Sequence, residues 1–202
     1  MDKDSYLNDV RQGLQDSVDF FGSQDKFTRE KWVVSEFLTN LSIPFFEEDI
    51  IPGSDPPDII FKDANFEVKE ILDKGRRRHE EYKAALARAY TETDPAALTE
   101  EYLPRSISID EVSSLVLAQA ADLAKNKYPL QVRREMDLIC YVNLKHVIKT
   151  VGTPFPDACE FGKLGFRSIC FLHHQTSGIL WVDQGALSFL GLQQGVCDRP
   201  CR

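Results

Sequence analysis

Apolar residues recur at helical spacing in two segments near the start of the chain. The first apolar face ends at Gly22-Ser23, and its members are Tyr6, Leu7, Val10, Leu14, Val18 and Phe21. The second follows Thr28, and its members are Val33, Val34, Phe37, Leu38 and Leu41. The spacing predicts helices over 6–21 and 28–41, with Thr28 as the N-cap of the second. The first helix, within an appendage of residues 1–24, is expected to pack on the core or on a second subunit, so a homodimer is one expectation.

A period of two replaces the helical period in the next segment. The runs 57–61 and 66–69 are apolar and bounded by turn-forming residues, which predicts two antiparallel strands. With the turn centred on Asp63-Ala64, Phe61 would pair with Phe66, and Asp58 with Lys69. Because successive side chains point to opposite faces, one face of this hairpin is expected to be polar and the other apolar. The polar face would hold Asp58, Ile60, Glu67 and Lys69, and the apolar face Ile59, Phe61, Phe66 and Val68.

The remaining pattern alternates between helices and strands. Asp73 opens a segment that continues helically to Tyr90, and Ser108 to Glu111 has the form of a capping box before a helix at 112–127. Apolar runs predict further strands at 136–144, 168–173 and 179–183. This order predicts an α/β fold in which a central mixed sheet is flanked by helices. At 202 residues the chain is expected to form a single domain, with its motif-bearing core at residues 26–90.

Composition narrows the class of protein. Hydrophobic residues make up 43% and charged residues 28%, as in an ordinary globular protein. The formal net charge of −8 argues against a protein that binds nucleic acid over its whole surface, so any such contact should be local and assisted by a metal. The sequence predicts neither a signal peptide nor an apolar run long enough to span a bilayer, and its five cysteines are scattered. We therefore expect a cytoplasmic protein without membrane contact.

The polar face of the hairpin carries the chemistry. Two carboxylates, Asp58 and Glu67, converge from neighbouring strands, and hard oxygen ligands of this kind suit Mg²⁺ or Mn²⁺. Lys69 lies beside them as a compact cation that can stabilise a pentacovalent phosphate or orient the attacking water. Glu70 points to the other face and is a weaker candidate. The alternative is an exposed strand face on which Asp, Glu and Lys pair across the ladder for about 0.2 to 1 kcal/mol.

Here the chain resembles the PD-(D/E)xK nuclease superfamily. Pro57-Asp58 corresponds to the first half of its motif and Glu67-Val68-Lys69 to the second. The resemblance implies a restriction-endonuclease-like core, with Asp58, Glu67 and Lys69 as catalytic residues and a metal held by the two carboxylates. More narrowly, residues 26–88 resemble an uncharacterised family of bacterial proteins named as candidate endonucleases. That likeness rests on the runs Glu30-Lys31-Trp32-Val33, Pro56-Pro57-Asp58, Phe66-Glu67-Val68 and Asp73-Lys74-Gly75-Arg76-Arg77.

Glu30 is the third acidic candidate. It falls at the centre of the apolar stripe of the second helix, and the resemblance implies that a glutamate on the first core helix joins the metal site. The alternative is that Glu30, at the second helical position, interacts favourably with the helix dipole, for about 0.3 to 1 kcal/mol.

A basic segment follows the hairpin and is the candidate for nucleic-acid binding. Arg76, Arg77 and Arg78 could hold phosphates while Tyr82 orients a strand. Arg78 and Tyr82 lie four residues apart, an arrangement similar to the Gln-x-x-x-Tyr element of RecB-like nucleases, although arginine stands where that element has glutamine. The alternative is a solvated basic face with Tyr82 in the core.

Two functions follow from these residues. The first is a Mg²⁺- or Mn²⁺-dependent nuclease that hydrolyses phosphodiester bonds of nucleic acid, with DNA as the expected substrate. The second is a nuclease-fold module that has lost catalysis and binds nucleic acid or protein.

Overall fold

A computed structural model describes residues 2–22, 26–99, 101–152 and 157–183, and the backbone of 195–198. Six α-helices occur in these ranges: α1 (Lys3–Phe20), α2 (Lys26–Asn40), α3 (Arg78–Thr91), α4 (Ile109–Asn126), α5 (Leu130–Arg133) and α6 (Cys159–Gly162). The strands are β1 (Ile50–Pro52), β2 (Ile59–Phe61), β3 (Ala64–Ile71), β4 (Arg105–Ser108), β5 (Asp137–Val142), β6 (Val147–Val151), β7 (Ser168–His173), β8 (Thr176–Val182) and β9 (Gly195–Asp198). Short 3-10 turns lie at Glu47–Asp49 and Pro95–Leu98.

The chain divides into two compact units. The first contains Met1–Arg29 and Lys74–Leu103, and the second contains Glu30–Asp73 and Pro104–Arg202. The expected helix forms near the N-terminus, and it is grouped with the segment that carries α3. The single domain, with an appendage at residues 1–24 and a motif-bearing core at residues 26–90, stays a prediction.

In the first unit, α1 and α3 pack against each other. Asp2 caps α1 by accepting a hydrogen bond from the Ser5 backbone N–H at 2.9 Å. The side chain of Arg11 donates to the Ala89 carbonyl of α3 at 2.9 Å. Ala89 is fully buried, so its small side chain lets the two helices approach closely.

In the second unit, a seven-stranded mixed sheet has the order β1-β2-β3-β5-β7-β8-β9. The central strands β3, β5 and β7 are parallel, and the strands on either side of them pair antiparallel. A separate parallel pair joins β4 to β6. The predicted central mixed sheet is therefore confirmed, and its parallel centre explains why β5 and β7 read as continuous apolar runs.

Different helices cover the two faces of this sheet. Side chains of α2 pack in one apolar cluster with Phe66 and Val68 of β3. Side chains of α4 pack in a second cluster with Ile71 of β3 and with Leu138 and Cys140 of β5. The prediction of helices on both faces is confirmed, because alternate residues of one strand serve the two clusters.

Several predicted boundaries are wrong by a few residues. The second helix begins at Lys26 rather than at an N-cap at Thr28. The third helix begins only at Arg78, since the residues after Asp73 form a turn first. The strand predicted at 179–183 begins earlier, at Thr176: His173 already pairs with Thr176, and the chain reverses at His174, where φ is 50°. Local propensity does not fix these ends, because tertiary packing selects among nearby turn positions.

Candidate metal centre

The hairpin that carries the motif is tighter than the sequence predicts. Ile59 pairs with Phe66 and Phe61 pairs with Ala64, so the loop is the two residues Lys62 and Asp63, with Lys62 at φ 53°. The predicted pairing of Phe61 with Phe66 is wrong by two positions. A shift of two leaves every side chain on its predicted face, because the side-chain period of a strand is also two.

The corrected register changes which polar residues meet. Extending the observed ladder by one residue places Asp58 opposite Glu67, whereas the expected register placed it opposite Lys69. The Val68 backbone N–H donates to Asp58 Oδ2 at 3.0 Å, which fixes this carboxylate against β3. The two carboxylates are therefore direct cross-strand neighbours.

Both carboxylates are buried. Asp58 is 7% exposed and Glu67 is 0% exposed. The alternative prediction, an exposed strand face on which these polar side chains meet solvent, is therefore wrong for Asp58 and Glu67. Burying a carboxylate is costly unless cations or hydrogen-bond donors compensate it, so the surroundings of this pair decide what it can do.

Lys69 provides part of that compensation. Its Nζ atom lies 3.6 Å from Asp58 Oδ2, forms an ion pair and hydrogen bond with Glu67 Oε1, and donates to the Val68 carbonyl at 3.0 Å. The side chain is 21% exposed, so the amine faces the carboxylates and remains accessible to solvent. The three residues of the predicted motif thus lie together.

Two residues after α4 complete the surroundings of Glu67. The Tyr128 hydroxyl donates to Glu67 Oε1, and Lys127 Nζ lies 3.6 Å from the same oxygen. Burial raises the pKa of the Tyr128 hydroxyl far above its usual range, and the hydrogen bond to Glu67 and the charges of Glu67 and Asp58 raise it further. By contrast, Glu67 Oε2 is buried and has no hydrogen bond with any residue that the structure describes.

A third carboxylate comes from the loop before the motif. One ligand oxygen each from Asp55, Asp58 and Glu67 lie within 4.8 Å of one another. The loop is closed by hydrogen bonds from the Gly53 N–H to the Asp58 carbonyl at 2.9 Å and from the Asp55 N–H to the Pro57 carbonyl at 3.0 Å. A Cβ atom on Gly53 would lie 2.0 Å from the Pro57 carbonyl oxygen, so this turn requires glycine. The three carboxylates form a group that could hold a metal ion.

The chain matches one protein family over nearly its whole length. Residues 2–197 match the model of the family described as "Putative endonuclease, protein of unknown function (DUF1780)". The chain belongs to this family. Among solved structures, it is similar to a protein of unknown function from Pseudomonas aeruginosa strain PAO1, described as a member of the monooxygenase superfamily. The two chains are 27% identical with a TM-score of 0.67, and the match covers 100% of this chain and 98% of the other. None of the curated proteins compared with the chain matches it.

The expected likeness to a family of candidate endonucleases is thus confirmed and extends over nearly the whole chain, beyond residues 26–88. The family description names endonuclease activity, which implies nucleic acid as the substrate, whereas the solved relative is described by a different activity. Of the helices in the described ranges, none is long and apolar enough to cross a membrane.

Glu30 is not part of the acidic group in this family member. Its helix, α2, packs on the sheet face that carries Phe66 and Val68, with the Phe37 and Phe66 rings 6.1 Å apart. Glu67 alternates with these β3 residues and so points to the opposite face. Asp55 takes the third position instead, and a metal role for Glu30 stays a prediction. The alternative role near the helix dipole is wrong as stated, because α2 begins at Lys26 and Glu30 is its fifth residue.

The basic segment lies in the first unit, and its side chains have different surroundings. Arg78 is 8% exposed, with its guanidinium carbon 3.4 Å from the centre of the Phe21 ring. Tyr82 stacks on the same ring at 5.3 Å. Arg76 pairs with Glu81 at 2.9 Å, and Arg77 is exposed at the start of α3. Arg78 and Tyr82 therefore pack on Phe21. Nucleic-acid binding by Arg76, Arg77, Arg78 and Tyr82 stays a prediction.

Sequence reasoning did not identify Asp55, Lys127 or Tyr128. Asp55 could have been found, because it lies in the turn that precedes Asp58. Tyr128 lies 61 positions from Glu67, and no local pattern links them. Only the packing of α4 over the sheet brings Lys127 and Tyr128 to Glu67.

Proposed function

We propose that this protein is a metal-dependent nuclease that hydrolyses phosphodiester bonds, with Mg²⁺ or Mn²⁺ held by Asp58, Glu67 and Asp55. One observation carries the proposal. Three carboxylates converge within 4.8 Å, and one of them keeps a buried oxygen, Glu67 Oε2, that accepts no hydrogen bond from the described residues. Such an oxygen is costly to bury and is compensated when it binds a cation.

The donor set fits a hard cation better than a soft one. All three side chains offer carboxylate oxygen, which suits Mg²⁺, Ca²⁺ or Mn²⁺, and no thiol or imidazole belongs to the group. Formal charges agree, since three carboxylates stand against the two amines of Lys69 and Lys127, leaving an excess of one negative charge. A divalent ion would reverse that sign and favour a phosphate anion.

Lys69 is the residue that would stabilise the transition state. When bound, the cation would polarise a phosphate and lower the pKa of a water nucleophile. Because Lys69 Nζ contacts both carboxylates and is 21% exposed, it is placed to interact with a phosphate oxygen beside them and to stabilise charge that develops in the transition state. Lys127 is half exposed and would contact substrate rather than the reacting atoms.

We also propose that the protein belongs to the PD-(D/E)xK superfamily. The order α2, β1-β2-β3, α4 and β5, with the motif on the β2-β3 hairpin, supports the PD-(D/E)xK superfamily and its restriction-endonuclease-like core. The acid, acid and lysine lie on one face, as that resemblance implies. DNA as the substrate, a cytoplasmic location and a homodimer stay predictions.

The alternative is a module that binds without catalysis. Lys69 already contacts both Asp58 and Glu67, so the cluster is partly neutralised without any metal. Two candidate nucleic-acid contacts, Arg78 and Tyr82, pack on Phe21 instead. These observations favour a structural role for the polar groups, and activity decides between the two functions.

The test uses labelled single- and double-stranded DNA and RNA, incubated with purified protein in Mg²⁺, Mn²⁺ or EDTA. The nuclease proposal expects cleavage with metal, none in EDTA, and loss of cleavage in Asp58→Asn purified identically. Asparagine can still accept the hydrogen bond from the Val68 N–H, so the variant should keep the hairpin. Cleavage that persists in Asp58→Asn would indicate a contaminant. Binding without cleavage under every condition would favour the module.

A further inference from the structure

The two oxygens of Glu67 have opposite surroundings. Oε1 accepts hydrogen bonds from the Tyr128 hydroxyl and from Lys69 Nζ, and it has Lys127 Nζ at 3.6 Å. Oε2 is buried without a hydrogen bond from any described residue. The hydrogen bonds at one oxygen position fix the plane of the carboxylate, because a partial rotation would break them, and they leave the other oxygen position without a donor.

Tyr128 is held firmly in place. The backbone N–H groups of Lys127 and Tyr128 both donate to the Leu123 carbonyl, at 3.0 and 2.9 Å, so the chain stays wound to the end of α4. Tyr128 is 5% exposed, and it belongs to the same apolar cluster as the buried side chains of α4. A hydroxyl on a buried ring has little freedom to leave Glu67.

We propose that Tyr128 is a positioning residue for Glu67: its hydroxyl holds Oε1, so that Oε2 is presented to the metal ion. The inference rests on the proposed metal site and goes beyond it by assigning that site's geometry to a residue that directly follows α4. Ligating carboxylates are commonly oriented by such outer hydrogen bonds, and removing one lowers metal affinity by about 10- to 100-fold.

The experiment measures Mn²⁺ affinity by electron paramagnetic resonance. Tyr128→Phe removes only the hydroxyl and keeps the buried ring, and we expect Mn²⁺ to bind about 10-fold more weakly or worse. Tyr141→Phe is the matched control. Tyr141 is a partly buried tyrosine of β5 that packs edge-on against Trp32, 5.4 Å away, on the α2 face of the sheet. The control should bind Mn²⁺ as the wild type does.

A second measurement distinguishes positioning of Glu67 by Tyr128 from an effect of Tyr128 on stability alone. Thermal unfolding in EDTA reports stability without metal, and the inference requires the loss of Mn²⁺ affinity in Tyr128→Phe at a temperature where the variant is fully folded. An ultraviolet difference spectrum of the wild-type protein provides an independent measurement. Mg²⁺ does not absorb light, yet binding at Glu67 should perturb the near-ultraviolet spectrum of the tyrosine that donates to it, and Glu67→Gln should abolish that signal.

The outcomes are distinct. If the wild type binds no Mn²⁺ or Mg²⁺, the metal site of the proposed function fails, and this inference fails with it. If the wild type binds metal but folded Tyr128→Phe binds it equally well, Tyr128 does not position Glu67 and only this inference is overturned. If Tyr128→Phe does not fold, the difference spectrum decides: a wild type that binds Mg²⁺ without a tyrosine signal overturns the inference.

Discussion

At the scale of single residues, Lys69 contacts both buried carboxylates of the candidate site. It lies against both buried carboxylates, so it compensates their charge when no metal is present. The same amine would face a phosphate when a cation neutralises the carboxylates. Its contribution to stability and its contribution to catalysis can therefore be measured separately.

Lys69→Ala should slow cleavage of bound substrate by about 10² to 10³, because it removes a preorganised charge that acts in the transition state. Mn²⁺ affinity should be retained or increased, since the amine competes with a cation for the same oxygens. Single-turnover cleavage and metal titration measure the two effects. The control is Lys163→Ala, which removes an exposed lysine whose amine forms an ion pair with Glu160. Wild-type cleavage by Lys69→Ala would exclude the proposed role.

At the scale of elements, the site depends on three pieces of backbone with different origins. The β2-β3 hairpin supplies Glu67 and Lys69, the preceding loop supplies Asp55 and Asp58, and the end of α4 supplies Tyr128. The hairpin and α4 are held by large apolar clusters. The residues of the loop before Asp58 are exposed or partly buried, and the loop depends on the close approach of Gly53 to Pro57.

Gly53→Ala should displace this loop. The added Cβ would meet the Pro57 carbonyl oxygen at 2.0 Å, and overpacking of this kind costs about 1 to 3 kcal/mol. We expect a lower free energy of unfolding in urea and weaker Mn²⁺ binding, because Asp55 and Asp58 flank the contact. Gly13→Ala is the control: its Cβ meets nothing within 4 Å inside α1, and alanine in a helix should stabilise by about 0.5 to 1 kcal/mol. Unchanged metal affinity in Gly53→Ala would show that the loop does not set the site.

At the scale of the whole molecule, net charge and metal binding act together. The chain carries a formal charge of −8, which opposes binding to a polyanion. A cation held by the acidic group would reduce repulsion where substrate meets the protein and would also relieve repulsion among the carboxylates. Folding and metal binding should therefore be linked.

Mg²⁺ should raise the melting temperature of the wild type but not of Asp58→Asn. A ligand present at 100 times its Kd stabilises the folded state by about 2.7 kcal/mol, which corresponds to roughly 5 to 10 °C for a chain of this size. Differential scanning calorimetry in Mg²⁺ and in EDTA measures the shift, with Na⁺ at matched ionic strength to correct for screening. An equal response in both proteins would place the metal elsewhere or show only a general effect of ions.

The sequence by itself determined the faces of the hairpin, the mixed α/β class and the family. Asp58, Glu67 and Lys69 could be assigned to one face because a strand alternates its side chains with a period of two, and this assignment survived an error of two positions in register. The predicted pairing of Phe61 with Phe66 was wrong because the position of the turn depends on the geometry of the closed loop, which the hydrophobic pattern does not encode.

Only the tertiary structure decided what surrounds those residues. The sheet orders its strands so that α4 crosses the face of β3 that carries Glu67, which brings Tyr128 across 61 positions of chain, and it leaves α2 with Glu30 on the other face. Within the first unit, Arg78 and Tyr82 pack on Phe21 rather than lying on an open basic surface. The physical reason is one of range: periodicity records which side of its own element a residue occupies, whereas contacts between elements depend on the packing of the whole core.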